Sequence, residues 1–400
     1  MEQNYSFQHK VPHAPLKICA MENCKEFAEM VNQHIRQIRQ ADPEAVAARK
    51  DQAAFYGYDS DTYLLPNKLS RFGTGEGKAT LLESVRGTDL YIITDVLNHS
   101  LTYTVCGHPH YMSPDDHYQD LKRIISIAVS HAQRVNVVMP FLYEGRQHRR
   151  TRRESLDCAF ALEELCDMGV ENIITFDAHD PRIVNAVPLH GLENFMPTYQ
   201  FFKSIFQQDP DIKIDKNSLM IISPDEGAMD RAVYFANNLG VDMGMFYKRR
   251  DYSRVVNGKN PIVAHEFLGS NIEGKTVIIV DDMISSGDSM LDTSRTLKEM
   301  GAAKVIICCT FGLFTNGLDK FDEFHQKGYI DYVVTTNLNY RDPALITKPW
   351  YIEADMSSLT AEIIDTINHD FGIGATLDPT PKVQALIAAH NEKCKEFLPE

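Results

Sequence analysis

Long apolar runs are missing from this chain. Nowhere do 18 hydrophobic residues follow one another, which argues against a helix that spans a membrane. The opening "MEQNYSFQHKVPHAPLKICAMENCKEFAEM" lacks a basic start followed by an apolar core, so it does not read as a secretory signal. Eight cysteines are present, yet none stands in a Cys-x-x-Cys pair, and Cys308 and Cys309 sit inside an apolar, strand-like run. Free thiols in a reducing cytoplasm are the expectation. Positive charge is short as well: 40 Lys and Arg against 55 Asp and Glu leave a net charge of -15. That balance removes the broad basic face a nucleic acid needs.

What is present is ordinary in bulk. With 400 residues, 44 % hydrophobic and 24 % charged, the chain has room for two or three domains with real cores. Two short islands concentrate positive charge, "GRQHRRTRR" (145–153) and "YKRRDYSR" (247–254), each just after an apolar strand. In an acidic chain, such islands suggest pockets for a polyanionic small molecule. Apolar runs at 89–96, 134–141 and 170–177 form one strand series, and 275–282, 303–311 and 329–337 form a second. Between them, apolar residues recur at helical spacing: Leu121, Ile124, Ile125 and Ala128; Cys158, Ala161, Leu162, Leu165 and Met168; Met290, Leu297 and Met300. Gly169 and Gly301 stand where helices stop. The pattern predicts an α/β fold with a parallel sheet, built twice over. Around it, residues 1–60 read as a polar helical extension with Phe27, Met30, Val31 and Ile35 on one stripe, and 372–400 as an amphipathic tail. The stretch 99–118, with Cys106, His108, His110 and His117, reads as a surface loop rather than a metal clip.

"VIIVDDMISSGDSM" (277–290) concentrates the chemistry. A short loop from the end of a parallel strand into a helix offers backbone N–H groups and a positive helix end, which is an anion site. Ser285, Ser286 and Ser289 add hydroxyl donors, and Gly287 lets backbone approach closely. Asp281 and Asp282 repel a phosphate, but they accept hydrogen bonds from the vicinal hydroxyls of a sugar or hold Mg2+ through water. Together these describe a pocket for a sugar phosphate; a capped strand end is the bland alternative.

An apolar strand, two acids, a small-residue loop and a helix resemble the phosphoribosyl-binding motif of the type I phosphoribosyltransferase fold. Further stretches, over about residues 65–370, resemble the ribose-phosphate diphosphokinase (phosphoribosyl diphosphate synthetase) family. "NKLSRFGTGEGKATLLESVRGTDLYII" (67–93) is similar to that family's first hairpin, which implies that Phe72 and Glu76 contact the ATP base. "PFLYEGRQHRR" (140–150) implies Arg146 and Gln147 beside the nucleotide. "TFDAHD" (175–180) implies His179 as a Mg2+ contact, and "SPDEGAMDRA" (223–232) implies Asp225 as a metal or ribose contact. "YKRRDYSR" resembles the family's mobile basic loop, with Lys248 and Arg250 at the catalytic positions. Each has a bland reading too: Phe72 in a core, His179 a hydrogen-bonded strand end, Asp225 a helix cap. "GTGEGKAT" is not a P-loop, since no Gly stands five residues before Gly77 and Ala79 replaces Ser or Thr.

The resemblance implies two tandem type I phosphoribosyltransferase-like domains, each with a mainly parallel central sheet flanked by helices, over 61–196 on the ATP side and 197–371 on the ribose 5-phosphate side. It also implies a homo-oligomer, dimer or hexamer. The reaction it implies is transfer of the β,γ-diphosphoryl group of ATP to ribose 5-phosphate with Mg2+. The sequence departs from the family pattern Asp-Asp-x-x-Asp-Thr-Gly/Cys-Gly-Thr: Ser285 replaces the third acid and Asp288 replaces a Gly. Two rivals share parts of this reading: a phosphoribosyltransferase that consumes phosphoribosyl diphosphate, and a non-catalytic regulatory homologue.

Overall fold

The computed structural model describes residues 11–41, 52–250 and 262–396. The chain divides into two compact units. The first takes Met1–Met196, Asn337–Tyr340 and Met356–Asp378, and the second Pro197–Thr336, Arg341–Asp355 and Pro379–Glu400. No helix among the described residues is long and apolar enough to cross a membrane.

The first unit is built on five parallel strands in the order β1 (Leu16–Ala20), β4 (Asp89–Ile93), β7 (Arg134–Val138), β8 (Asn172–Phe176), β9 (Gly191–Phe195). Two antiparallel hairpins stand apart from it, β2–β3 (Asn67–Arg71, Gly77–Leu81) and β5–β6 (Thr102–Val105, His108–Tyr111). Helix α1 spans Lys25–Gln40, α2 Pro114–Ala128 and α3 Asp157–Asp167. The stripe Leu121, Ile124, Ile125, Ala128 is fully buried on α2, each large side chain contributing about 1.5–3 kcal/mol. A capping box, with Ser113 and Asp116 bonded reciprocally and Pro114 following, fixes where α2 starts.

Two expectations change here. The segment 1–60 is not only helical: "LKICA" forms β1, paired in parallel with β4 from Leu16↔Asp89 to Ala20↔Ile93. Five residues carry too little periodicity to reveal a strand whose partner lies 73 positions on. The stretch 99–118 is a hairpin followed by the start of α2, not a loop. His117 turns inward, its Nδ1 paired with the Asn23 amide at 3.1 Å and its Nε2 with the Asn98 carbonyl at 2.7 Å.

The helix Ser357–Asn368, distant in sequence, completes this unit through buried polar pairs. Arg39 on α1 donates through Nε to Asp365 at 2.7 Å and through Nη2 to Asn368 at 2.6 Å. Asn368 in turn donates to Asp89, which also accepts from Arg134 and Asn136.

The second unit holds a seven-stranded sheet ordered β12 (Ile262–Leu268), β11 (Asp242–Arg250), β10 (Leu219–Ser223), β13 (Thr276–Ile284), β14 (Lys304–Gly312), β15 (Tyr332–Thr336), β16 (Tyr351–Ala354). Every pairing is parallel except β11 with β12. Its helices include α4 (Thr198–Gln208), α5 (Met229–Leu239), α6 (Asp288–Glu299) and α7 (Asp319–Gln326). Val277, Ile279, Val305, Ile307 and Val333 pack with Met290, Leu297, Phe321 and Trp350 in one core. Met300, expected on the buried stripe of α6, is 39 % exposed because it caps the helix rather than extending its face. The tail is not bare: the helix Thr380–Glu396 buries Val383, and His390 stacks on Phe206 at 4.5 Å.

Candidate active site

In the second unit the site grows from an unequal strand. β10 pairs with β13 only as far as Ile222↔Ile279, whereas β14 follows β13 to Ile284↔Gly312. Asp281 and Asp282 lie just past the point where β10 has stopped. The acids therefore stand two residues before the strand end, and the loop proper is only Ser285, Ser286 and Gly287. Asp288 and Ser289, expected in the loop, form the first turn of α6. Continued pairing with β14 explains the difference: the Leu313 and Phe314 N–H groups bond to the Ile284 carbonyl, and the Thr315 N–H to Ser285 O at 3.0 Å.

Gly287 has φ +83°, the left-handed region that favours glycine. A Cβ there would lie 2.4 Å from Phe321 Cζ. Phe321 is itself fixed, stacked on Trp350 at 5.5 Å and edge-on to Phe314 at 5.0 Å. The loop thus rests on an aromatic buttress from the first turn of α7.

The acids share a strained electrostatic environment. Asp282 is buried, and Asp281 retains 21 % exposure of its side chain. Burial, then the charge of Asp282, pushes the Asp281 carboxyl well above the usual carboxylate range, and Asp225 adds to the push. Arg231 on α5 opposes it, with Nη1 3.5 Å from Asp281 Oδ1. Asp225 does not cap α5: the cap position is Ala228, without a side-chain bond, while Asp225 Oδ1 accepts from Gly227 N–H at 3.0 Å. That removes the capping explanation for Asp225.

Lys248 and Arg250, expected in a loop, have strand backbone at the end of β11, opposite His265 and Ile262 of β12. A register shift separates Arg249 from Arg250. The side chains of Lys248 and Arg250, and the rest of the island, 251–254, lie outside the described residues.

In the first unit, Phe72 and Glu76 face each other at the tip of the β2–β3 hairpin, where Phe72 N–H donates to Glu76 O at 2.8 Å. Phe72 is 57 % exposed, so it is no core residue. The second hairpin braces this tip: Cys106 N–H bonds to Gly73 O at 2.7 Å, and Arg71 lies over Tyr103 while gripping Asp120 with two bonds. Arg146 is exposed after β7, and Gln147 Nε2 donates to Ser155 O at 2.8 Å within its own connection.

His179, exposed after β8, has its ring 5.5 Å from that of His148. His148 Nε2 lies 3.1 Å from Asp180 Oδ2. Hydrogen bonds from Arg182 hold the Asp180 carboxyl down at about 2. His179 and Asp225 fall in different units. Among the described residues, no group of three or more His, Cys, Asp or Glu is arranged to hold a metal.

Three side chains that matter here escaped the sequence reading: Arg231, Lys320 and Phe321. Arg231 was within a quoted motif, but nothing in its spacing says it turns back to β13. Lys320 and Phe321 belong to "LDKFDEF", whose role appears only once α7 packs on α6.

Comparison with known proteins agrees with this order of parts. Residues 16–169 match the model of the N-terminal domain of ribose phosphate pyrophosphokinase, and 200–340 match the phosphoribosyl transferase domain. The ribose-phosphate pyrophosphokinase of Oceanobacillus iheyensis is 28 % identical over 285 residues, 70 % of this chain and 80 % of that one. The enzyme of that name from Wolinella succinogenes is 29 % identical over 273 residues, 67 % and 78 % of the two chains. The crystal structure of phosphoribosylpyrophosphate synthetase from Mycobacterium smegmatis superposes with a TM-score of 0.68 at 19 % identity, covering 89 % of this chain and 99 % of that one, a likeness of fold. With both halves matched in sequence order and the relatives aligned across most of their own length, the chain belongs to the ribose-phosphate pyrophosphokinase family.

Proposed function

We propose that this chain transfers the β,γ-diphosphoryl group of ATP to the C1 hydroxyl of ribose 5-phosphate, giving phosphoribosyl diphosphate and AMP. One observation carries the reading. A unit matching the N-terminal domain of ribose phosphate pyrophosphokinase precedes a unit in which an acid pair, one buried and one partly so, stands next to a short, glycine-turned loop at a helix start. A phosphoribosyltransferase has use for the second but not for the first.

In this reading, Asp281 and Asp282 accept hydrogen bonds from the ribose hydroxyls, with Arg231 favouring the charged form of Asp281. Ser285, Ser286, Gly287, Asp288 and Ser289 surround the 5-phosphate, whose charge suits the N-terminus of α6. Phe72 offers a flat exposed face to the adenine, with Glu76, Arg146 and Gln147 as its polar partners. The C1 hydroxyl attacks the β-phosphorus, loses its proton, and AMP departs with the bridging oxygen. Such transfer asks the protein mainly to align the reactants and offset charge on the phosphate oxygens. Lys248 and Arg250 supply that positive charge.

The donor chemistry suits Mg2+ held largely by the substrate's own oxygens. His179 and Asp225 each offer a single contact, and Mg2+ commonly keeps one or two protein ligands beside phosphates and water. When bound, the ion neutralises the phosphate charge. The enzyme is cytoplasmic in this reading and works as a homo-oligomer, dimer or hexamer, as its family resemblance implies.

The test is AMP release from ATP and Mg2+, with and without ribose 5-phosphate, on wild type and Lys248→Ala. Sugar-dependent AMP that falls at least a hundredfold in the variant, on the order of what one transition-state charge contact supplies, supports both claims. No AMP from the wild type, with ribose 5-phosphate still binding, sinks the catalytic reading and leaves a regulator.

A further inference from the structure

Asp288 stands where the family pattern has glycine, and the structure shows what its side chain does. Its Oδ2 accepts from Ser286 Oγ at 3.1 Å, and its Oδ1 from Lys320 Nζ at 2.6 Å. A hydroxyl and an ammonium beside a helix N-terminus are the donors that a phosphate monoester would take. Lys320 is not there by accident of a floppy surface. The next residue, Phe321, is wedged beneath Gly287, so the backbone of Lys320 is anchored against the loop. The ion pair itself is open to water, with side chains 57 % and 51 % exposed, so it is weak and readily exchanged.

We propose that Asp288 is a built-in competitor for the sugar phosphate, occupying the Ser286 hydroxyl and the Lys320 ammonium, and that Lys320 is a phosphate-binding residue of this site. The proposal rests on the sugar-phosphate reading of the loop. A phosphate near neutral pH carries about -1.5 to -2 charges against the single charge of a carboxylate, so it displaces Asp288 and takes both donors. The displaced carboxylate stays nearby and repels it, which weakens binding. The bland reading makes Asp288 only a first-turn acid that suits the helix dipole, with Lys320 its surface partner.

Calorimetric titration of the full chain with ribose 5-phosphate, without ATP, separates the two. Asp288→Asn is expected to tighten binding by about two- to five-fold, the scale of one charge at a helix end. Lys320→Gln is expected to weaken binding, and by more in the Asp288→Asn background, where the ammonium is no longer held. Raising the salt should shrink every difference. Unchanged or weaker binding in Asp288→Asn overturns the proposal, as does an inert Lys320→Gln in both backgrounds or a wild type that does not bind ribose 5-phosphate. The AMP assay on the same preparations judges the catalytic reading separately. Shifted affinities without AMP keep the competitor and lose the enzyme, and AMP without shifted affinities does the reverse.

Discussion

Replacing Gly287 with alanine puts two separable loads on the phosphate loop. Left-handed backbone at φ +83° costs an alanine about 1–2 kcal/mol. The new Cβ would also sit 2.4 Å from Phe321 Cζ and 2.6 Å from Cε2, an overlap that requires something to move. Phe321 cannot retreat easily, because it is fully buried between Phe314 and Trp350. Overpacking of this kind costs about 1–3 kcal/mol. Alanine returns about 0.4–1 kcal/mol by restricting the unfolded chain. The net loss is therefore roughly 1–5 kcal/mol, summed from those same terms. The chain contains a single tryptophan, and it is Trp350, so intrinsic fluorescence during denaturant unfolding reports directly on the buttress. Phe321→Leu removes the clashing ring edge at a cost of its own, about 1–2 kcal/mol. Combined with Gly287→Ala it should recover the overlap part but not the backbone part. The double variant is then more stable than the sum of the singles by about 1–3 kcal/mol. Additivity within about 0.5 kcal/mol would refute the packing argument. A Gly287→Ala chain as stable as wild type, with unchanged KM for ribose 5-phosphate, would refute the whole account.

Other consequences are more compact. Asp281→Asn should raise KM for ribose 5-phosphate while leaving KM for ATP alone; equal changes in both would remove Asp281 from the sugar site. The same variant has a signed effect on stability. A carboxyl pushed above its ordinary range in the fold makes the native chain hold its proton longer than the unfolded one, so stability falls as pH rises through and beyond the ordinary Asp range. Asp281→Asn is thus expected to gain stability over wild type at pH 8 relative to pH 5 by Trp350 fluorescence, and a gain that shrinks with pH contradicts it. Arg39→Met leaves Asp365 charged and buried, with side chains 1 % exposed, and should cost about 3–5 kcal/mol in the first unit. Adding Asp365→Leu should return part of that loss, and hydrogen exchange across α1 and the helix Ser357–Asn368 reads both.

The strand series and the acid-rich loop were legible because they are local. Runs such as Val277–Val280 and Val305–Cys309 are buried on both faces and announce parallel strands without reference to anything distant. β1 was not legible, since five residues, four of them apolar, beside a longer helix acquire meaning only through pairing with β4. Nor was the return of Ser357–Asn368 to the first unit, which is encoded in Arg39, Asp89 and Asp365, polar residues that look like surface until they meet. Of the site, the motif spacing named the acids and the loop. The reach of Arg231 and the wedge of Phe321 required the packing of α5 and α7 around β13, which no periodicity carries.

That division has a physical logic. The acids are expensive where they stand: two carboxylates adjacent in sequence, one buried and one nearly so, with Asp225 adding to their repulsion and Arg231 only partly offsetting it at 3.5 Å. A sugar whose hydroxyls donate to them relieves part of that cost, so burial that weakens the empty fold strengthens binding. A site of this kind tolerates the strain only if its surroundings do not yield. The Phe314, Phe321 and Trp350 cluster, with Trp350 Nε1 tied to Asp322 at 2.8 Å, supplies stiffness directly under the loop. On this argument the aromatic buttress and the acid pair are coupled. Softening the buttress lets the acids relax apart, and affinity for the sugar phosphate falls even where no residue that touches the sugar has changed.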